Sequence, residues 1–420
     1  RFEGEYTFTE LVRNIQNGED WKEISGIVYK ENGKVVLNPL RKPEMDLDRF
    51  PYPVRPPLQD YVLGEKFATL IAGRGCVNNC AFCNNTEYIR KSSLPVKRIR
   101  KPEKVVEEMQ FLYKKRGCSV FLFEDDDFPV HGNFGSEWIK MFCKELENRK
   151  LNGKVIWKIN CRPDDIVEKN FRMMKEHGLY LVFLGLDDGT DVGLARLNKH
   201  MTTEQSLNGV NILKMLEINF DYGFMLFQPW STFRSINDNL DFLRTLCDDG
   251  SVPVKFLKLM PYIDTVVERN LRKEGRLIEK PGYFDYNFLT VQLDHYYKFV
   301  KSSFNEWISY TEGLSAIAEW SNNYLSVFYH FLEISDEVKK IGSEIRSVIA
   351  ESNQFMLDIL KQNLEVYESG LTYSQRETES GSLSDYIKKK HDHFKGLLIE
   401  KVDRICLHAE KHKLAELIGL

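Results

Sequence analysis

The sequence predicts an α/β fold, a parallel sheet covered by helices and followed by an all-helical region. Three observations predict it. Short apolar runs alternate with amphipathic stretches between about Phe67 and Met260, turn signals separate them, and beyond about Lys273 the strand pattern gives way to apolar residues at helical spacing. The length permits this. A chain of 420 residues exceeds what one hydrophobic core usually serves, and 42% apolar content with 12% aromatics supplies material to bury.

The first sixty residues read as a connector. Residues 9–16 form a short helical stretch, and 24–30 and 34–38 read as two strands. Glu31-Asn32-Gly33-Lys34 joins them, because Asn-Gly accepts the positive φ angles of a tight hairpin turn. The proline-rich Phe50-Pro51-Tyr52-Pro53-Val54-Arg55-Pro56-Pro57 can continue neither helix nor sheet, so we bound the connector at 1–62.

The core unit, 63–275, contains six apolar runs at 67–72, 119–123, 155–160, 179–186, 220–227 and 254–260. Helical patterns lie between them at 102–116, 164–177, 203–217 and 236–248. Pro102 sits near a first turn, Asp164 reads as an N-cap, and Gly117 and Gly178 read as C-terminal stops. Six strand-then-helix units favour a parallel sheet, as an open sheet or a partial barrel; either way ligands belong at the carboxyl ends of the strands. The helical unit is 276–420. Its stretch 287–368 carries Phe304, Trp307, Ile308, Ile317, Trp320 and Leu325 as packing residues, and a polar segment at 372–384 separates it from a last amphipathic helix at 383–418.

With 58 basic against 62 acidic residues, the composition points to neither a nucleic-acid backbone nor an anionic membrane as partner, and leaves a small-molecule or peptide-like substrate. No apolar run reaches the roughly 18 to 20 residues of a membrane span, and Arg1-Phe2-Glu3-Gly4-Glu5 has no signal-peptide core, which reads as a cytoplasmic protein. A first residue that is Arg rather than Met reads as a truncated or processed chain.

Eight cysteines are too few and scattered for a disulfide framework, yet three fall between positions 76 and 83. Cys118, Cys143, Cys161, Cys247 and Cys406 read as buried thiols. The three lie in Gly73-Arg74-Gly75-Cys76-Val77-Asn78-Asn79-Cys80-Ala81-Phe82-Cys83-Asn84-Asn85, immediately after the first run of the core unit. Thiolates are soft donors that suit an iron–sulfur cluster or zinc. A structural zinc site closes its shell with a fourth Cys or His, and none follows before Cys118 and His131. Three ligands to a four-iron cluster leave one iron open, a liability in an electron carrier and a requirement where a substrate must coordinate the metal.

Other strand ends carry polar groups. Glu124-Asp125-Asp126-Asp127 ends the second run in four acids, costly to bury unless solvated or liganded. Arg162 follows the third run, where its fork of donors could meet a carboxylate or make a surface ion pair. Gln228 ends the fifth, facing a ligand or serving a turn.

The cysteine segment resembles the defining C-x₃-C-x-aromatic-C motif of the radical S-adenosylmethionine (SAM) superfamily, with Phe82 as the aromatic. The resemblance implies a partial (β/α)₆ barrel in which Cys76, Cys80 and Cys83 hold a [4Fe-4S] cluster and the open iron binds the amino and carboxylate groups of SAM. It also implies reductive cleavage of SAM to methionine and a 5′-deoxyadenosyl radical, with a reductant such as flavodoxin or ferredoxin. Asp125-Asp126-Asp127-Phe128 is similar to the Asp-Asp-x-Phe segment near the SAM amino group in the subgroup with an N-terminal cobalamin-binding domain. Leu184-Gly185-Leu186-Asp187-Asp188-Gly189 resembles its Leu-Gly-x-Glu-Ser-Gly segment, with Asp187 in place of Glu and Asp188 in place of Ser. Leu197-Asn198-Lys199 and Gly223-Phe224-Met225-Leu226-Phe227-Gln228-Pro229 match further subgroup segments. The SAM contacts so implied are Phe82, Asp125, Asp126, Arg162, Asp187 and Gln228.

Arg1-Phe2-Glu3-Gly4-Glu5-Tyr6-Thr7 resembles the Gly-Glu-Gly-Glu segment that ends the cobalamin-binding domain, with Phe2 where its first Gly stands. That implies a chain beginning just after such a domain, and cobalamin in a full-length parent. Subgroup members transfer methyl groups through methylcobalamin or perform ring closures and contractions. A cobalamin-dependent methyltransferase is the leading expectation and a non-methylating rearrangement or cyclisation the alternative; from other classes, a non-catalytic iron–sulfur carrier and a zinc-stabilised interaction module stand beside it.

Overall fold

Gly18, at a φ of 70°, ends the first helix, α1 (Glu5–Asn17), by turning its own N–H back onto the carbonyls of Asn14 and Ile15. The computed structural model describes residues 1–92, 94–308, 311–370 and 372–418. The predicted hairpin follows as β1 (Val28–Glu31) and β2 (Lys34–Leu37), antiparallel with Val28 opposite Leu37, around Asn32 and Gly33 at φ 51° and 78°.

The core unit runs β3 (Lys66–Leu70), β4 (Gly73–Gly75), α2 (Asn84–Ser92), β5 (Lys97–Ile99), α3 (Pro102–Arg116), β6 (Cys118–Phe123), α4 (Gly132–Asn148), β7 (Ile156–Cys161), α5 (Glu168–Glu176), β8 (Leu179–Asp187), α6 (Asp191–Arg196), α7 (Thr203–Met215), β9 (Asn219–Phe224) and α8 (Phe233–Cys247). Strands β3, β6, β7, β8 and β9 form one parallel sheet in chain order. Right-handed crossovers taken always in the same direction bring every helix to one face, which bends the sheet toward a partial barrel rather than a doubly wound open sheet.

Each face of the sheet has its own filling. On the helix side Phe123, Phe128, Trp138, Phe142 and Trp157 form a buried ring cluster, with centroids 5.1 Å apart for Phe123 and Phe128 and 5.2 Å for Phe142 and Trp157. On the inner face Val120, Ile156 and Tyr180 meet Val62 and, from the helical region, Val327. Alternation along β6 and β7 sends Val120 and Ile156 one way and Phe121 and Trp157 the other.

Several expectations need correcting. Residues 254–260 do not form a sixth strand; they touch β9's extension through one parallel bridge, Phe227 to Lys258, and hydrogen bonds such as Leu257 N to Phe224 O at 2.9 Å. Val254, Phe256 and Leu259 of this run are buried, but Tyr222 and Asn353 take up the backbone N–H groups of Lys255 and Val254. Asp164 is not an N-cap: it lies in a 3₁₀ turn, Pro163–Asp165, its carboxylate is bound by Arg162, and Val167 caps α5. Gly117 and Gly178 do stop their helices, at φ 65° and 99°.

After α9 (Val266–Lys273) comes a hairpin that the apolar pattern did not predict, β10 (Leu277–Lys280) and β11 (Tyr283–Tyr286) around Pro281-Gly282. The helical region then consists of α10 (Val291–Ile308), α11 (Leu314–Phe331), α12 (Asp336–Glu368) and α13 (Tyr373–Ile418). The polar segment at 372–384 is no separator, since all but its first residue belongs to α13. Trp307 is buried as expected, whereas Trp320 is half-exposed with its ring 5.3 Å from Tyr61, and Cys406 is only half-buried. Among the described residues no helix is long and apolar enough to cross a membrane.

Trp157 is fully buried among the rings of Phe123, Phe128 and Phe142 and donates its indole N–H to the His177 carbonyl at 2.8 Å. Trp157→Ala is expected to cost about 3–5 kcal/mol. Urea denaturation should show a lower midpoint with an unchanged slope.

Candidate functional site

The carboxyl ends of the strands converge on the cysteine loop. Leaving β3, the chain turns at Ala72, runs through β4, which pairs antiparallel with β5 from beyond α2, and reaches Cys76. Both glycines of Gly73-Arg74-Gly75 are needed there. A Cβ on Gly75, at φ 88°, would stand 2.2 Å from the Val96 carbonyl oxygen, and one on Gly73 would stand 2.7 Å from that of Arg98.

The acids after β6 divide this work. Asp125 is buried and accepts from Ala72 N at 3.0 Å and Gly73 N at 2.6 Å. Burial lifts its carboxyl to about 7, while the two backbone N–H groups pull the other way. Asp126 accepts from Gly75 N at 3.1 Å, and Asp127 pairs with Lys97 at 2.9 Å. Consecutive carboxylates therefore hold consecutive parts of the loop's entry.

The loop is fastened on its far side too. Ala81 N donates to Leu197 O at 2.8 Å, Asn198 Nδ2 donates to the Asn79 carbonyl at 2.9 Å, and Val267 N from α9 donates to Ala81 O at 3.3 Å. Phe82, half-buried, packs against the main core. The three thiols are left half-buried on a rigid support. The backbone N–H and side-chain amide of Asn78 both point at Cys76 Sγ from 3.5 Å, a contact that suits a metal-bound thiolate. Burial raises the thiols of Cys76 and Cys80; Asp127 adds to the first, while Lys199 and Arg162 draw the second back.

Among the described residues no three His, Cys, Asp or Glu side chains gather around one ion-sized point. Three half-buried thiols on one supported loop are a soft donor set that suits an iron–sulfur cluster.

Around Cys80 lies a group of paired charges. Arg162 forks onto Asp164 at 2.9 and 2.8 Å and donates to the Lys199 carbonyl at 2.5 Å, yet its Nη1 is buried without a partner. A buried donor left so costs about 1–3 kcal/mol until a ligand accepts from it. Asp187, at the end of β8 with a φ of 65°, pairs with the buried Lys199 at 2.6 Å. Gln228 is set apart from this group. It is 1% exposed, donates to Asp188 at 2.6 Å and to the Met225 carbonyl at 3.0 Å, and keeps a buried Oε1 without a partner.

Lys97 and Asn78 carried no signal in the sequence. Lys97 lies on a three-residue strand, too short for any periodicity, and Asn78 looked like loop filling. A cavity of about 500 Å³ adjoins the loop, lined by Phe2, Arg74, Gly75, Tyr88, Arg98 and Asp126. The segment before α1 and the first residue of that helix cover one side of it, fixed by Glu3 to Arg98 at 3.0 Å and Glu5 to Arg74 at 2.6 Å.

Asp125→Ala leaves two buried N–H groups without acceptors, and is expected to cost about 2–4 kcal/mol at neutral pH. Anaerobic iron binding by this variant should fall several-fold even where circular dichroism reports a folded sheet; undiminished iron uptake would show that the clamp is dispensable.

Residues 70–243 match the model of the radical SAM superfamily. The chain is 28% identical over 268 residues to an uncharacterized methyltransferase of Pyrococcus horikoshii, covering 63% of this chain and 56% of that protein. It is 33% identical over 228 residues to an anaerobic magnesium-protoporphyrin IX monomethyl ester cyclase of Rubrivivax gelatinosus, covering 51% and 38%. This chain thus spans about half or less of the length of these relatives. Among solved structures, the cobalamin-dependent SAM radical enzyme OxsB with aqua-cobalamin and SAM bound superposes with a TM-score of 0.62 at 16% identity, over 96% of this chain and 63% of that one, a likeness of fold. A loop of three supported cysteines at the head of a consecutively ordered parallel sheet lies within that match, and residues 70–243 carry a radical SAM superfamily domain.

Proposed function

We propose that this chain cleaves SAM reductively at a [4Fe-4S] cluster held by Cys76, Cys80 and Cys83, and that the protein it belongs to uses the radical for cobalamin-dependent methyl transfer. The observation that carries the first part is the loop itself: three half-buried thiols, clamped by Asp125 and Asp126 on one side and by Leu197 and Asn198 on the other. A cluster bound there leaves one iron for the amino and carboxylate groups of SAM and supplies the electron that breaks it into methionine and a 5′-deoxyadenosyl radical.

The chain's own residues have positioning roles. Arg162 offers its unused Nη1 to the SAM carboxylate, and Asp126 offers its exposed carboxylate to the amino group. Asp187 serves the same ligand from the end of β8, and Gln228, in the segment beyond β9, through its unpartnered Oε1. Phe82 and Asp125 act through the loop, fixing where the thiols stand. A small-molecule or peptide-like substrate, a flavodoxin- or ferredoxin-type reductant and a reducing cytoplasm complete the proposal.

Cobalamin enters through the N-terminal side. This reading draws on the cavity between the loop and Phe2 to Glu5 and on the fold shared with OxsB, whose structure holds aqua-cobalamin. A second reading, ring closure without methylation, draws on the likeness to the Rubrivivax cyclase.

Anaerobic reconstitution with iron and sulfide should load about four irons per chain. With dithionite and SAM the loaded chain should release 5′-deoxyadenosine, measured by liquid chromatography. Cys83→Ala should lose iron and cleavage together. A fully loaded, reducible cluster that yields no 5′-deoxyadenosine would sink the proposal, as would one zinc per chain with no iron uptake. Arg162→Lys should leave iron content unchanged and raise the SAM concentration for half-maximal cleavage about tenfold, since an ammonium cannot replace the fork.

A further inference from the structure

A second cavity, of about 580 Å³, opens at the opposite end of the sheet. Its floor is the start of β8 (Gly178, Leu179, Tyr180) and of β9 (Asn219); its walls are one face of α11, with Tyr329 and His330, and one face of α12, with Lys339 and Arg346. Lys175 comes from the end of α5 and Glu217 from the turn before β9. The length of β8, about 30 Å of strand, separates this floor from Asp187, so the cavity lies outside the radical site.

Cations outnumber carboxylates on its lining: Lys175, Lys339 and Arg346 face one, Glu217. Lys339 is held by Asp336 at 3.2 Å, and Lys175 donates to the main-chain oxygen of Glu217 at 2.8 Å. Arg346 has no carboxylate partner among the described residues. His330 keeps a buried Nε2 without a partner, and both burial and the Lys175 cation hold its imidazole below the usual range. An unpaired guanidinium, an ammonium and an imidazole around one partly enclosed space are the complement of a phosphate, whose oxygens accept from all three. The volume is that of a small-molecule site.

We propose that this cavity binds a phosphorylated small molecule, with the phosphate held by Arg346 and Lys175 and the remainder lying against Tyr329 and Leu325. Its lining belongs to both the sheet and the helical region, so an occupant fastens α11 and α12 to β8 and β9 and stabilises the whole by mass action. Nothing in this depends on what the cysteine loop binds.

Isothermal calorimetry of the purified chain with inorganic phosphate, pyrophosphate and ATP tests it. Saturable binding of at least one of these at one per chain is expected, with a melting temperature that rises with its concentration. Arg346→Gln and Lys175→Gln should each weaken binding about tenfold, while Cys83→Ala should bind as the parent does. Preference for ATP assigns a nucleotide-like ligand, and equal binding of inorganic phosphate assigns the free anion. Should either variant fail to fold, Gly342→Leu serves instead, because even a Cβ there would stand 2.7 Å from the Tyr329 hydroxyl and larger atoms would fill the space. No binding of any probe at about 10 mM, or binding that the variants leave intact, overturns the proposal.

Discussion

The carboxylate of Asp125 joins the end of one strand to the start of the chemistry. Its two oxygens take the N–H groups of Ala72 and Gly73 where the chain leaves β3, and the carbonyl of the same residue accepts from Asn160 at the end of β7. Three adjacent strand ends are thus tied through one residue before the chain enters the cysteine loop. A loop of this length would otherwise sample many conformations, and holding three thiols toward one centre would cost the entropy of ordering them. The clamp removes part of that freedom, so the sheet itself contributes to ordering the site.

Burying so many charges at the strand ends is expensive, and the structure meets the cost by pairing. Lys97 with Asp127, Lys199 with Asp187 and Arg162 with Asp164 each place opposite charges within 3 Å in a largely buried setting. Such pairs contribute little net stability compared with apolar replacements. Their retention in a core otherwise filled by rings and aliphatic chains fits residues kept for position and charge. Among the buried atoms left without partners, Arg162 Nη1, Asp127 Oδ1 and Gln228 Oε1 lie at this end of the sheet, where a polar ligand would take them up.

The helical region is more than an attachment. Val327 of α11 reaches the inner face of the sheet beside Val120, Ile156 and Tyr180, and Asn219 of β9 donates to the Asn322 carbonyl. It closes the end of the curved sheet remote from the cysteines, leaving the other end open. A parallel sheet must be covered on both faces. Here α3 to α8 cover one face, and the other is shared between the plug from the helical region and the polar site.

The sequence by itself determined the chemistry-bearing loop and the class of fold. Cysteine spacing is a local property, and so are the alternation of apolar runs with helical stretches and the glycines that end α3 and α5. It also placed Asp125, Asp126, Arg162 and Asp187 at strand ends, because a strand end can be counted along the chain. Only the tertiary structure decided what these groups do there. Asp125 and Asp126 hold backbone N–H groups more than fifty positions away, Gln228 is turned onto Asp188, and the run at 254–260 contacts the sheet without entering its ladder. Lys97 became visible only through a three-residue strand paired with the entry to the cysteine loop, and the cationic cavity only where α11 and α12 meet the sheet. The physical reason is one of range: spacing and periodicity record neighbours in sequence, whereas a side chain's partner is chosen by the fold from residues the chain brings back from afar.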